Sequence, residues 1–272
     1  MKSKKLNLIW TIALMFLLNM VMANATSSQY NFTQMGVIFA NFDEPNLGIS
    51  NDTYKRNATV SGTSISYTTN TPKVGAGSAY FSKSGSGQTI NFTANSSYSM
   101  PNLTACIATN FSNSGATQNF FGAFRQVVPG RDGSWKMHIT STDLLRITFM
   151  PEQIASVASP LSGRHLNLVC AVLNTTGTTT TAYVAVNGSY LAQAAGTGWT
   201  TSNANQDILL GGAEDDDSTP FCSNTECSVS SFYVFNESLT TTNLTNLTNN
   251  GDFILLTAQS SAGGDAISPV VN

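Results

Sequence analysis

Residues 180–194 read TTAYVAVNGSYLAQA, and this stretch decides the fold. Before Asn187-Gly188, small and β-branched residues alternate with Thr and Tyr. After it, polar and apolar residues alternate again. Asn-Gly is the preferred pair for a type I′ turn, because both central residues of that turn need a positive φ. The pattern predicts a β-hairpin with strands over 180–186 and 189–194.

The rest of the chain repeats this signature, and helical periodicity is nearly absent. The run 165–174 is almost continuously apolar, as in a strand covered on both faces. One short helix is predicted over 239–247, with Thr240 or Thr241 near its N-cap. Further strands are predicted over 36–42, 61–67, 78–81, 88–92, 103–111, 119–127, 135–139, 144–149, 206–211 and 228–235. Many short strands separated by polar turns indicate an all-β sandwich or barrel.

Seven segments carry a resemblance to a known group of domains: 39–44 (FANFDE), 77–81 (GSAYF), 103–108 (LTACIA), 163–172 (GRHLNLVCAV), 183–188 (YVAVNG), 208–212 (ILLGG) and 229–247. In this order they resemble the strands of laminin G-like and pentraxin-like domains, within the concanavalin A-like jelly-roll superfamily. The resemblance implies a two-sheet antiparallel β-sandwich. The chain departs from the pattern at His165, where Trp is usual, and at Cys227, where Gly is common. With no intact pentraxin signature, a pentraxin ring is not implied.

The N-terminus has the organisation of a signal peptide over residues 1–25. A basic start (MKSKK) precedes the apolar run 6–22, and Ala-Asn-Ala then supplies the small-x-small cleavage pattern. An uncleaved anchor is the alternative, but the run is shorter than the roughly 20 residues that a span needs. We therefore expect a secreted, extracellular protein without a membrane span, with a jelly-roll domain over 26–251 and a loosely ordered tail over 252–272.

Four cysteines lie after the predicted signal peptide, at positions 106, 170, 222 and 227. An even number in an exported chain favours disulfides, and four cysteines allow three pairings. Spacing favours Cys222 with Cys227 in one loop and Cys106 with Cys170 across the core. The alternative is one local bridge and two buried thiols. Cys106 and Cys170 also fall near the positions of the intersheet disulfide of pentraxins, so the resemblance implies the same pairing.

Asn-x-Ser/Thr sequons are dense, and several of them arise by chance in a chain so rich in Asn, Ser and Thr. In a eukaryotic or viral protein some of them would carry glycans on exposed loops, whereas in a prokaryotic one most would mean nothing. The sites predicted to be glycosylated are Asn51, Asn57, Asn174, Asn236 and Asn243.

Charged residues make up only 10% of the chain, and the formal net charge of −3 would become −6 on loss of the three lysines in the signal peptide. After the predicted signal peptide nothing forms a basic patch, so nucleic acid is not an expected partner. Superfamily glucanases carry three acids in a Glu-x-Asp-x-x-Glu strand, which this chain lacks. His138 and His165 lie in predicted strands and are interpreted as structural. We therefore expect no enzymatic activity, with a divergent carbohydrate-active enzyme as a remote alternative.

An acidic cluster over 214–217 (EDDD) suggests calcium, a hard cation that binds carboxylate oxygens in loops. The resemblance to pentraxins implies Glu214, Asp215 and Asp216 as ligands, with Asp132 from an earlier loop. A solvated acidic loop is the alternative interpretation.

Recognition is the function that these features favour, with an extracellular glycan or protein surface as the partner. Trp199, in a Gly-rich turn, is the candidate for stacking on a sugar ring, and packing onto the edge of the sandwich is the other interpretation. A structural or coat glycoprotein without a small ligand is the second class of function.

Overall fold

The computed structural model describes residues 36–42, 58–61, 65–69, 77–82, 88–111, 115–123, 134–149, 153–161, 166–199, 201–202, 205–212, 221–222 and 227–249. All of them belong to one unit, residues 32–272, and residues 1–31 form another. Over the described ranges, no helix has both the length and the apolar character needed to cross a membrane.

The described residues form fifteen strands and one α-helix. A short 3-10 helix over Ser96–Tyr98 precedes the sixth strand. The elements are β1 Gly36–Asn41, β2 Ala58–Ser61, β3 Ile65–Thr68, β4 Ser78–Phe81, β5 Thr89–Phe92, β6 Leu103–Asn110, β7 Gln118–Ala123, β8 Trp135–Ile139, β9 Leu144–Phe149, β10 Gln153–Ala158, β11 Leu166–Thr176, β12 Thr179–Val186, β13 Ser189–Thr197, β14 Ile208–Leu210, β15 Cys227–Phe235 and α1 Thr241–Asn249.

The strands assemble into two antiparallel sheets. The first sheet has the order β13-β12-β11-β6-β15-β4-β3, and β1 also pairs with β15. On β15, residues 227–229 pair with β4, whereas residues 231–235 pair with β1. The second sheet has the order β10-β9-β8-β7-β14-β5-β2. The predicted two-sheet antiparallel β-sandwich is confirmed.

The core lies between the sheets and is rich in aromatic rings. Phe232 of β15 in the first sheet contacts Phe92 of β5 and Phe121 of β7 in the second, with ring centroids 5.5 Å apart in each case. Strand β9 shows the alternation that such a face produces: Leu145 and Ile147 are fully buried and their neighbours are half-buried. Because successive side chains of a strand point to opposite faces of the sheet, the residues next to these buried ones face outward.

The predicted hairpin forms between β12 and β13. Asn187 and Gly188 have φ angles of 50° and 86°, as the predicted type I′ turn requires. A Cβ at Gly188 would lie 2.8 Å from the Cα of Thr245, because α1 packs directly against this turn. The helix begins two residues later than predicted, and the N–H of Asn243 donates to Oγ1 of Thr240, the N-cap.

Residues after β15 cover part of the outer face of the first sheet. The hydroxyl of Thr104 on β6 donates to the carbonyl of Glu237 at 2.7 Å and accepts from the N–H of Leu239 at 2.8 Å. Leu244 and Leu247 of α1 are fully buried. Beneath this segment the first sheet is therefore covered on both faces, which agrees with the continuous apolar pattern of β11.

Both predicted disulfides are present, Cys106–Cys170 and Cys222–Cys227. The location predicted for the first is wrong, because it does not cross the core between sheets. Cys106 on β6 and Cys170 on β11 are directly opposite in the register of two neighbouring strands, with Cα atoms 4.1 Å apart. The bridge therefore fastens two adjacent strands of one sheet.

Tyr190 of β13 ties the hairpin to the segment after β15. Its ring stacks on that of Tyr183, with centroids 4.4 Å apart, and its hydroxyl donates to the carbonyl of Leu239. Burial, and then the charge of Tyr183, raises the pKa of Tyr190 from 10.0 to about 12. The folded protein therefore resists ionisation of this hydroxyl.

Replacing Tyr190 by Phe is expected to reduce the fall in the free energy of unfolding that occurs as the pH rises into the alkaline range. The folded-state pKa lies above the unfolded value, so the stabilisation is full below about pH 10 and is lost as the pH rises towards 12. Tyr190→Phe should cost about 1 kcal/mol at pH 8, from the lost hydrogen bond, and its free energy of unfolding should fall less than the wild type's up to pH 11. Urea unfolding at several pH values measures both effects. Tyr183→Phe removes the lesser cause of the raised pKa and keeps the larger one, burial of the Tyr190 hydroxyl, so this variant should retain most of the alkaline loss of stability. Parallel pH profiles for wild type and Tyr190→Phe would contradict the assignment.

Candidate binding face of the second sheet

The predicted calcium ligands Asp132, Glu214, Asp215 and Asp216 lie outside the described residues. In the part of the chain that the structure describes, no group of three or more His, Cys, Asp or Glu side chains is placed to hold a metal ion. The calcium site therefore stays a prediction.

Trp199, the residue predicted to stack on a sugar, follows β13 and is 2% exposed. Its ring meets Phe149 of β9 edge-on, with centroids 6.2 Å apart and planes at 77°. Stacking on a sugar requires an open aromatic face, and this indole has none. The structure corrects the binding role predicted for Trp199 and matches the other interpretation, packing within the sandwich.

The described glycosylation sites differ in exposure. Asn236, just after β15, is exposed, whereas Asn174 on β11 and Asn243 on α1 are half-buried. Asn51 and Asn57 lie outside the described residues. A glycan acceptor needs an accessible amide, so Asn236 is the most accessible of the three described sites.

A row of polar side chains crosses four strands on the outer face of the second sheet. Asn119 of β7 lies opposite His138 of β8, His138 lies opposite Arg146 of β9, and Arg146 lies opposite Ser156 of β10. Directly opposite residues of antiparallel strands point to the same face, with Cβ atoms about 5 Å apart. Met137 belongs to the core, so the adjacent His138 points away from it.

A second row runs beside the first on the same face. Gly122 of β7, Lys136 of β8, Thr148 of β9 and Ile154 of β10 are successive partners in the register. Lys136 precedes His138 by two residues, so both side chains leave the same side of β8. A Cβ at Gly122 would lie 2.7 Å from the Cα of Lys136, so the strands approach too closely here for a side chain.

Exposure increases across these rows from β7 to β10. Asn119 is fully buried and His138 is 8% exposed. Arg146 is half-buried and Ser156 is exposed. Charges on a partly enclosed surface are screened less by water and salt than charges on an open one. We call the part of these rows on β8 to β10 the candidate face and define it by Lys136, His138, Arg146, Thr148, Ile154 and Ser156; of these, His138 is buried and the others are half-buried or exposed.

The candidate face concentrates positive charge. The Lys, Arg and His residues that the structure describes are Lys136, Arg146 and His138, and all three lie on this face. Strands β7 to β10 contain no Asp or Glu. Nε of Arg146 is buried and has no hydrogen-bond partner in the described part of the chain. Two cationic side chains and a histidine therefore lie on this face, in a chain with a formal charge of −3.

Sequence reasoning missed this site because its charges are separated along the chain and meet only through strand pairing. The signal is nevertheless present in WKMHI over Trp135–Ile139 and LLRITF over Leu144–Phe149. These strands flank a four-residue connection, and their apolar residues at alternate positions predict which side chains face outward. The pairing then places Arg146 opposite His138.

No protein-family model matches this sequence, and no curated protein matches it either. Solved structures do match. The binding domain of Paraclostridial Mosquitocidal Protein 1 is 11% identical with a TM-score of 0.56, over 81% of this chain and 53% of that chain. The receptor-binding domain of botulinum neurotoxin D is 15% identical with a TM-score of 0.56, over 81% and 54%. The binding domain of botulinum neurotoxin DC in complex with SialylT is 16% identical with a TM-score of 0.56, over 81% and 52%.

At these identities the likeness shows the fold alone. The chain spans about half the length of each of these structures. They share a β-sandwich with this protein, and all three were solved as binding domains.

Proposed function

We propose that this chain is a secreted, non-catalytic recognition module that binds an extracellular glycan. The observation that carries the proposal is the candidate face, a partly enclosed polar surface on a rigid sheet. Its arginine, lysine, threonine and serine side chains offer hydrogen-bond donors of the kind that sugar oxygens accept. The half-exposed side chain of Ile154 adds an apolar contact for a sugar ring.

Fold likeness supports this proposal without establishing it, because one fold hosts many functions. The matched structures are binding domains of toxins. Membership of the laminin G-like group, cleavage of the signal peptide and glycosylation are parts of the same proposal, and they rest on the sequence. A protein surface is the second candidate partner, because the outer face of a sheet also suits a broad contact.

Calcium has a separate place in the proposal. Glu214, Asp215, Asp216 and Asp132 would supply carboxylate oxygens from two loops, as hard cations prefer. Bound calcium would add a positive charge for sugar oxygens. This role belongs to the ligand-binding step and requires no catalytic group.

A glycan array probed with the secreted full chain tests the proposal. We expect binding to a restricted set of glycans, and we expect EDTA to weaken it if calcium takes part. An unchanged pattern in EDTA removes calcium from the proposal and leaves glycan recognition intact. Absence of binding to every glycan, with a folded protein shown by circular dichroism, contradicts glycan recognition and favours a protein partner or the coat alternative.

A further inference from the structure

We infer that the open edge of β13 is a self-association surface, on which a second copy of this chain pairs through its own β13. The two strands run antiparallel about a two-fold axis and join the first sheets of both copies into one continuous sheet. Two-fold pairs are the commonest oligomers of soluble proteins. This inference goes beyond the proposed glycan recognition and does not depend on it.

The backbone of β13 is the first argument. This strand ends the first sheet: β12 pairs with it on one side, and no strand of the described residues pairs with it on the other. β13 is nine residues long, and about half of its N–H and C=O groups point away from β12. Such a row of open backbone groups is a template for another strand.

The lengths of the edge strands are the second argument. The other strands at sheet edges are shorter, with four residues in β2 and β3 and six in β1 and β10. Short edge strands are one of the ways in which proteins prevent pairing with other chains. β13 is therefore the edge on which an added strand forms the most hydrogen bonds.

The side chains of β13 are the third argument. Its sequence, SYLAQAAGT, contains no charged residue and no proline, the residues that commonly protect an exposed edge. One protective feature is present, a bulge at Leu191, where the register with β12 shifts. The bulge lies close to the hairpin turn and leaves the register of residues 192–197 regular.

The regular part of β13 suits pairing with itself. Residues 192–197 read AQAAGT, with Gln193 as the only long side chain. Ala192 and Ala194 pack towards the core, and a two-fold axis perpendicular to the sheet keeps inward residues opposite inward residues. Small side chains therefore meet across the new pair. No like charges meet there, although each copy has a formal charge of −3.

Exposed apolar side chains accompany this edge. Leu191 of β13 is 38% exposed, and Ile154 of β10 is 50% exposed. β10 lies beside β13, so both residues belong to adjacent edge strands of the two sheets. A single exposed apolar residue needs no explanation, whereas two on adjacent edges add apolar surface to a contact.

The dimensions of the edge predict a weak dimer. Nine extended residues span about 30 Å, and two stacked sheets with their outward side chains are about 20 Å deep. Such a contact buries about 600 Å² on each copy, at the lower limit for specific interfaces. We therefore expect a dissociation constant in the micromolar range.

Sedimentation equilibrium of the secreted full chain, from about 1 to 200 μM, tests the inference, and a monomer–dimer equilibrium is expected. Hydrogen exchange measured by mass spectrometry locates the contact. Amides of residues 189–197 should exchange more slowly at high protein concentration than at low, whereas those of the β2 edge should not change. A monomer at every concentration overturns the inference, as does a dimer in which exchange of β13 is independent of concentration.

The double variant Gln193→Lys/Ala195→Lys supplies a second test. Both positions are exposed, and the change gathers four like charges across the two-fold axis. We expect the dissociation constant to rise at least about tenfold, with an unchanged circular dichroism spectrum. Thr59→Lys/Ser66→Lys, with the same charges at exposed positions of β2 and β3 on the opposite side of the sandwich, is the matched control. Equal dimerisation of the two variants overturns the inference.

Discussion

Replacing both Cys106 and Cys170 with alanine is expected to lower the free energy of unfolding by about 4 kcal/mol. The two residues are separated by 64 positions, and the bridge removes the entropy that this loop would have in the unfolded chain. Domains of this kind are stable by only about 5–15 kcal/mol, so the loss is a large fraction of the total. Urea unfolding under oxidising conditions, followed by tryptophan fluorescence, measures the change.

The second disulfide supplies a matched control with the same number of sulfur atoms removed. Cys222 and Cys227 are separated by only 5 positions, so the same relation gives about 2 kcal/mol for Cys222→Ala/Cys227→Ala. All four cysteines are buried, so the cavity contributions are similar. An equal or smaller loss for the Cys106/Cys170 variant would contradict the entropic explanation.

Phe221→Ala is expected to destabilise the fold by about 3–5 kcal/mol, the usual cost of removing a buried phenyl ring. Phe221 is fully buried, and its ring lies 5.1 Å from that of Phe81, 5.3 Å from Phe120 and 5.7 Å from Phe111. Three aromatic contacts are therefore lost with one side chain. The N–H of the adjacent Cys222 donates to Oε1 of Gln118 at 2.7 Å, so the chain at this point is held in place and collapses poorly into the cavity.

Phe221→Leu tests whether this loss reflects packing. Leucine keeps most of the apolar volume and forfeits the edge-to-face contacts, which are worth about 0.5–1.5 kcal/mol each. We expect its free energy of unfolding to lie between those of the alanine variant and the wild type. A loss under about 1.5 kcal/mol for Phe221→Ala would show that the neighbouring rings close the cavity.

Local patterns were sufficient to predict the strands that have clear alternation or clear turn residues. β4, β8 and β9 have the predicted bounds, because apolar residues at every second position mark both the strand and its buried face. The β12–β13 hairpin followed from Asn187-Gly188 for the same local reason. The pairing of Cys106 with Cys170 was predicted, but the direct pairing of β6 with β11 was not, because the sheet in which each strand lies depends on contacts distant in sequence.

Two strand predictions failed for physical reasons. The predicted strand 61–67 is in fact the end of β2 and most of β3, which lie in different sheets, and a period-2 pattern does not reveal such a change. β10 was not predicted, because its alternation is inverted. Its large apolar residue Ile154 points outward at 50% exposure, whereas the small Ala155 is buried.

The candidate site was less accessible to sequence reasoning than the fold. The aromatic and acidic residues predicted to bind a ligand were recognised individually from their residue type, and one of them, Trp199, proved to be a core residue. Lys136 and Arg146 are unremarkable individually and become a site only when β8 pairs with β9. Aligning the outward-facing positions of the two strands as a hairpin would have predicted that these two residues lie close together.

The position of β15 has a consequence for how this protein is made. The last strand that the structure describes lies inside the first sheet, where it pairs with β6 on one side and with β1 and β4 on the other, so Gly36 meets Phe235. During synthesis or export, β1, β4 and β6 emerge long before their common partner, and each presents an open strand edge in the meantime. Pairings so distant in sequence form slowly. The interval before residue 235 emerges is thus when these strand edges are most open to aggregation and to chaperones, and the first sheet closes only after β15 is available.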